Sequence, residues 1–319
     1  MADILALFPV KKNNDEMRKI IAIGECCLDI FFRNNAPWLS LPGATILNAA
    51  ASLGKRRREI SFVGEAAADH VGDMLVEFLT LNNVGTHSVD RFTDGVTPVT
   101  LIFTDDHDCE RHRVSYERYS AQSLGVVWPR IDHDDIVVFG GIYALDQRVH
   151  SRLFDIIKYA RERKAVIVYA PDMGHNPVIN MTHVKPSILE NLEMADIVVT
   201  AGSDLKTIFG EEGGSNSYNR DISFYCFNHI NADFDESTLS FYNRKKTESA
   251  EIKCSSEMRG VWLAGAIAGV VDALLKHDVL KEATGDFDQE MMKNIVEQAA
   301  LWGGMAIETT DRLVPLNDK

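Results

Sequence analysis

The sequence predicts an α/β fold, a mostly parallel sheet covered on both faces by helices and joined by a small separate β-sheet. Three observations carry that prediction. Short, nearly continuous apolar runs at Ile20–Ile23, Ile136–Gly140, Val166–Tyr169 and Ile197–Thr200 read as strands buried on both sides. Helical patterns lie between such runs, as in Val149–Arg163, and that alternation is the mark of right-handed βαβ units. From Val96 to Tyr119 the alternation gives way to β-rich residues on either side of Asp105-Asp106-His107-Asp108. These form a hairpin of an accessory sheet rather than part of a parallel core.

The elements follow in order. The first strand runs into Gly24-Glu25, with Asp29 expected just past its C-terminal end. Pro42-Gly43-Ala44 leads into a small-residue helix, Leu47–Leu53, stopped by Gly54. A strand at Ile60–Val63 and an amphipathic helix at Asp73–Leu81 come next. Residues 211–250 are polar, with one strand-like stretch at Leu239–Tyr242. The run Val261–Val271, ended by Asp272, is apolar enough for a buried helix. The loop before it is aimed at that helix's N-terminus, where unpaired N–H groups and the helix dipole collect anions. Residues 1–17 are expected to be an N-terminal extension, and 18–319 one domain with accessory strands inserted at about 30–41 and 95–120.

Composition narrows the function. At 319 residues and 45% hydrophobic the chain can bury a substantial core. A formal net charge of -14 argues against nucleic-acid or anionic-membrane binding. The basic run Lys55-Arg56-Arg57-Arg58 reads as a solvated turn. Five cysteines, two of them adjacent at Cys26 and Cys27, suit free thiols in a reducing cytoplasm. Scattered histidines offer no zinc-site spacing. Residues 1–19 lack the apolar core of a signal peptide, and the apolar helix near 261–275 is too short and interrupted to span a membrane.

Several motifs in one order resemble the ribokinase (PfkB) family of sugar kinases over roughly residues 18–310. Gly24-Glu25 with Asp29 resembles the opening strand whose aspartate bonds sugar hydroxyls. Pro42-Gly43-Ala44-Thr45-Ile46-Leu47-Asn48 resembles the Pro-Gly-Gly-Ala-Pro-Ala-Asn signature, with Ala44 in place of the second glycine. Gly64, Asp69 and Gly72 fit the Gly-x-x-Gly-x-Asp-x-x-Gly block, and Thr97-Pro98 resembles the entry to the lid strands. The resemblance implies a ribokinase-like three-layer sandwich with a β lid, a sugar or nucleoside ligand, ATP and Mg as cofactors, and a homodimer paired through the lid strands. It also implies sugar contacts at Asp29, Gly43, Ala44 and Asn48.

The phosphate-handling motifs are eroded. The family's loop Asp-Thr-Thr-Gly-Ala-Gly-Asp meets its helix at an Ala-Gly pair. Setting Ala264-Gly265 on that pair puts Gly260 at the catalytic aspartate, and Glu257, Met258 and Arg259 at the anion-binding Gly-Ala-Gly. The Asn-x-x-Glu motif tied to magnesium falls on Ala201 and Asp204, which leaves Asp204 as the candidate metal ligand, and the usual Asp-Pro-Asn reads Ala170-Pro171-Asp172. The ATP-side Thr-x-Gly-x-x-Gly is sought at Tyr225–Ile230, which has no glycine. Loss of a general base costs about 10² to 10⁴ in rate. The sequence therefore reads as a sugar-binding kinase homologue with impaired catalysis. The alternatives are an active sugar kinase whose base is displaced to Glu257 or Asp172, and a structural or regulatory subunit. Each residue also has a plainer reading: Asp29 could end a strand, Asn48 could cap a helix, and Arg259 could be a solvated loop cation.

Overall fold

The computed structural model describes residues 18–104, 110–120, 125–173, 180–210, 214–254 and 258–317. The expected extension at 1–17, the acidic turn at 105–108 and Glu257 lie outside the described residues. The first half of the chain runs β1 (Ile20–Ile23), β2 (Cys27–Arg33), β3 (Ala36–Gly43), α1 (Thr45–Lys55), β4 (Ile60–Glu65), α2 (His70–Leu81), β5 (Gly85–Asp90), β6 (Val96–Thr104), β7 (Glu110–Arg118) and β8 (Ile136–Gly140). The second half runs α3 (Gln147–Glu162), β9 (Val166–Ala170), α4 (Met181–Met194), β10 (Ile197–Ala201), α5 (Gly202–Phe209), α6 (Gly214–Arg220), β11 (Asn228–Asp233), β12 (Thr238–Asn243), β13 (Lys246–Glu251), α7 (Arg259–Lys276) and α8 (Gln289–Glu308).

Nine strands form one sheet in the order β13-β12-β11-β10-β9-β8-β1-β4-β5. It is parallel from β5 to β11, and β12 and β13 extend it as antiparallel edge strands. Because successive side chains of a strand face opposite ways, β1 sends Ile20 and Ala22 into one core and Ile21 and Ile23 into the other. The first core is roofed by α1, α2, α7 and α8, the second by α3, α4, α5 and α6. The result is a three-layer sandwich. A second, four-stranded sheet, β3-β2-β6-β7, stands beside it. Its β6 and β7 are the expected hairpin, paired antiparallel with Leu101 opposite Val114.

Two sequence expectations change. Asp272 does not end the apolar helix, because α7 continues to Lys276 and buries Asp272 completely. Its carboxylate takes Nε and Nη2 of Arg58 at 2.8 and 2.5 Å, and Lys276 Nζ lies 2.9 Å away, off the line of a hydrogen bond. The basic run at 55–58 ends α1 and turns with Arg57 exposed, while its other cations are engaged. Lys55 pairs with Asp311, and Arg56 donates to the carbonyls of Pro315 and Leu316. The chain's ends are thereby tied to its beginning, since Val314 N also donates to Ser52 Oγ at 3.2 Å and Arg18 Nη2 to the Val279 carbonyl at 2.9 Å. Helix α7 meets α8 closely through Gly265 and Gly269, where an added Cβ would stand 2.6 Å from the Trp302 carbonyl and 2.7 Å from that of Gln298. Among the described residues no helix is long and apolar enough to cross a membrane, and Cys26, Cys27, Cys226 and Cys254 form no disulfide.

Candidate functional site

A cleft of about 770 Å³ lies where β1, β8, β9 and β10 end, under the four-stranded sheet. Ligands of open parallel sheets bind at such carboxyl ends. Glu25, Gly141, Asp172 and Ala201 line it from the main sheet. Asp29, Thr100, Arg113, Ser115 and Glu117 line it from the second sheet, and Arg259, Gly260 and Val261 from the start of α7.

Asp29 reaches the cleft by a different route from the expected one. It lies inside β2, opposite Leu41 of β3, not just past β1. Its Oδ1 is 3.7 Å from Cys27 Sγ, and a Cβ on Gly43 would come within 2.6 Å of the Asp29 carboxyl, so only glycine lets these strands hold Asp29 there. Ala44 is the N-cap of α1 with φ 75° and ψ 133°, a backbone region that glycine occupies freely and alanine rarely. Asn48 does not cap the helix. It sits in the second turn of α1, and its Nδ2 donates to the carbonyls of Pro42 and Ala44 at 2.9 and 3.2 Å, so it anchors the turn that shapes the cleft wall. Asp69 caps α2 through Gly72 N and accepts from Thr97 N and Oγ1, which fastens β6 to the main body.

The cleft floor is rich in carboxyls. Burial first, then the charges of Glu117, Asp29 and Asp172, push Glu25 up to about 8. Burial also raises Asp172, opposed by a hydrogen bond with the Thr45 side chain and by the Arg113 charge. Asp172 holds a left-handed φ of 40°, a region aspartate tolerates better than most residues. Burial and the Asp172 charge raise Asp204. Sequence reasoning passed over Arg113, Ser115 and Glu117, although their spacing of two along β7 puts them on one face of a strand.

At the α7 end, Gly260 is exposed in the helix's first turn, and a Cβ built on it meets nothing within 4 Å. Arg259 lines the cleft as well, from the first turn of α7 rather than from the loop, with Nη2 2.9 Å from Oδ1 of the exposed Asp235. Met258, half-buried, is the N-cap of α7. Asp204 is almost wholly enclosed, and its two carboxylate oxygens accept from Met173 N and Ala201 N at 2.8 Å each. Among the described residues no three His, Cys, Asp or Glu side chains converge as a metal site. Asp204, the ligand that the sequence suggests, thus has both oxygens engaged by backbone N–H groups. The strand sought at Tyr225–Ile230 is β11, which starts at Asn228 and runs to Asp233, so the turn at its end is Phe234-Asp235-Glu236-Ser237. It also lacks glycine.

The fold has many counterparts among solved structures. The fructokinase of Vibrio cholerae O395, with fructose, ADP and calcium bound, superposes with a TM-score of 0.79 at 14% identity, over 95% of this chain and 97% of that one. The aminoimidazole riboside kinase of Salmonella enterica, complexed with aminoimidazole riboside and an ATP analogue, gives 0.74 at 14% identity, over 94% and 96%. The ATP-bound fructokinase of Xylella fastidiosa gives 0.74 at 15% identity, over 93% and 95%. No curated protein matches the chain by sequence. Residues 18–223, more than half of the chain, match the family model of the pfkB carbohydrate kinases, and the chain belongs to the pfkB family of carbohydrate kinases.

Proposed function

We propose that the protein binds a sugar or sugar-like ligand in the cleft and transfers phosphate poorly or not at all. The observation that carries this reading is the contrast between the cleft's two ends. Asp29, held by Gly43, and the Asn48-anchored turn keep hydrogen-bonding groups on the sugar side. On the other side, Gly260 offers no carboxylate where the family has its base. The second sheet acts as a lid over the ligand, and the free outer strands β3 and β7, which expose Trp38 and Tyr116, suit pairing with a second copy. Free, largely buried thiols suit a reducing compartment such as the cytoplasm.

Thermal unfolding with a panel of sugars and nucleosides tests the reading, because a ligand of the folded state raises apparent stability. The expected result is a shift with a sugar and no phosphorylated product. Turnover at an ordinary kinase rate, about 1 to 100 per second, would refute it.

A displaced base is favoured by one observation only, the Asp172 carboxyl in the cleft. Gly260→Asp distinguishes the two readings. Its side chain has room, and under the proposed reading it restores little activity because the phosphate side is altered elsewhere.

A further inference from the structure

The turn after β11 and the start of α7 bring together groups suited to holding an anion, and the chain's own carboxylates occupy them. Asp233 Oδ1 accepts from Asp235 N at 3.1 Å and Glu236 N at 3.0 Å. Successive backbone N–H groups of this kind are what cradle a phosphate in anion-binding turns. Here an internal carboxylate stands in the anion's position. The guanidinium of Arg259, one of the cations lining the cleft, is engaged by Asp235 at 2.9 Å. Phe234, between these acidic residues, lines the cleft with its ring edge-on to Trp262 at 5.5 Å and the Arg259 guanidinium 5.1 Å from its centre. Trp262 is fully buried, so Phe234 rests on a fixed platform.

We propose that this end of the cleft is closed to nucleotide by the chain itself, with Asp233 as a built-in anion and Phe234 as the stopper. The proposal rests on reading the cleft as a kinase cleft of this family, in which ATP would lie beside this turn. Asp233, Asp235 and Glu236 also present charges of the same sign as a polyphosphate, which disfavours its approach. The Arg259–Asp235 pair is too exposed to hold the closure alone, so the Asp233 turn and the Phe234–Trp262 contact are the parts that matter.

Calorimetric titration of the full chain with Mg-ADP, a Mg-ATP analogue and inorganic phosphate tests this, beside the same titrations of Asp233→Ala/Asp235→Ala. Circular dichroism and melting establish that the variant is folded. The expected result is no wild-type binding below about 1 mM, and a gain of tenfold or more for phosphate or ADP in the variant. Submillimolar wild-type binding of ADP overturns the proposal, as does a folded variant that gains nothing. Sugar titrations run in parallel separate this inference from the proposed function. Nucleotide binding by the wild type sinks the closure alone, whereas absence of both sugar and nucleotide binding sinks the sugar reading and leaves the closure standing.

Discussion

Ala44 stores strain at the cleft wall. A non-glycine residue in so sparsely populated a region costs about 1 to 3 kcal/mol, while a glycine there loses about 0.5 to 1 kcal/mol more conformational freedom on folding. Ala44→Gly is therefore expected to stabilise the protein by about 1 kcal/mol, read as a higher urea midpoint at unchanged slope. A lower midpoint would mean that the methyl group's packing outweighs the strain. The substitution to alanine is visible in the sequence, but its backbone angles are not. The same holds for Asp29, which the sequence singles out without showing its strand. Only the pairing of β2 with both β3 and β6 reveals that it belongs to the second sheet.

Helix α7 was legible as a buried apolar run because it is enclosed from Trp262 to Leu274. Its length was not, since the partner that lets Asp272 sit inside it is Arg58, 214 residues earlier. Strand β11, sought at Tyr225–Ile230, starts three residues later for a related reason. Its residues are polar, yet Asn228 Nδ2 donates to the Asp196 and Thr284 carbonyls at 2.8 Å, His229 Nε2 meets Thr200 Oγ1 at 2.8 Å, and the His229, Tyr218 and Tyr242 rings stack in one cluster with centroids 5.5 to 6.1 Å apart. Satisfied polar groups can be buried, and no local pattern announces the satisfaction. Two element-scale outcomes follow from α7. Gly265→Ala drives a methyl into the Trp302 carbonyl, 2.6 Å away, and should cost about 1 to 3 kcal/mol in a denaturant titration. Asp272→Ala should cost about 3 kcal/mol, the low end for a broken buried pair because Arg58 and Lys276 reach water. An unchanged midpoint in the first case would show slack between the helices, and in the second an ion pair of no net value.

For the whole molecule, two buried groups set opposing pH dependences. Burial pushes His229 down to about 3, so the folded state stays neutral where an unfolded histidine takes up a proton; stability is lost as pH falls below about 6.5. Glu25, pushed up to about 8, stays protonated in the folded state, whereas an unfolded glutamate ionises near about 4.3; stability is lost as pH rises from there towards about 8. Above about 6.5 the carboxyl effects remain, that of Glu25 up to about 8 and that of Asp204, raised by burial, up to about 7. The wild type should therefore lose stability between roughly pH 6.5 and 8, by at most about 1.4 kcal/mol per pH unit for each group, and Glu25→Gln should flatten the limb above about 7. A wild-type curve that is flat there would mean Glu25 ionises freely in the folded protein. The ties between the chain's first and last segments bear on how it is made. Central strand β1 and helix α1 meet α7, Val279 and Val314 only when nearly all of the chain has left the ribosome. Until then the emerging N-terminal half holds an open apolar face, and truncation before Val314 is expected to raise aggregation, read by light scattering against the full chain.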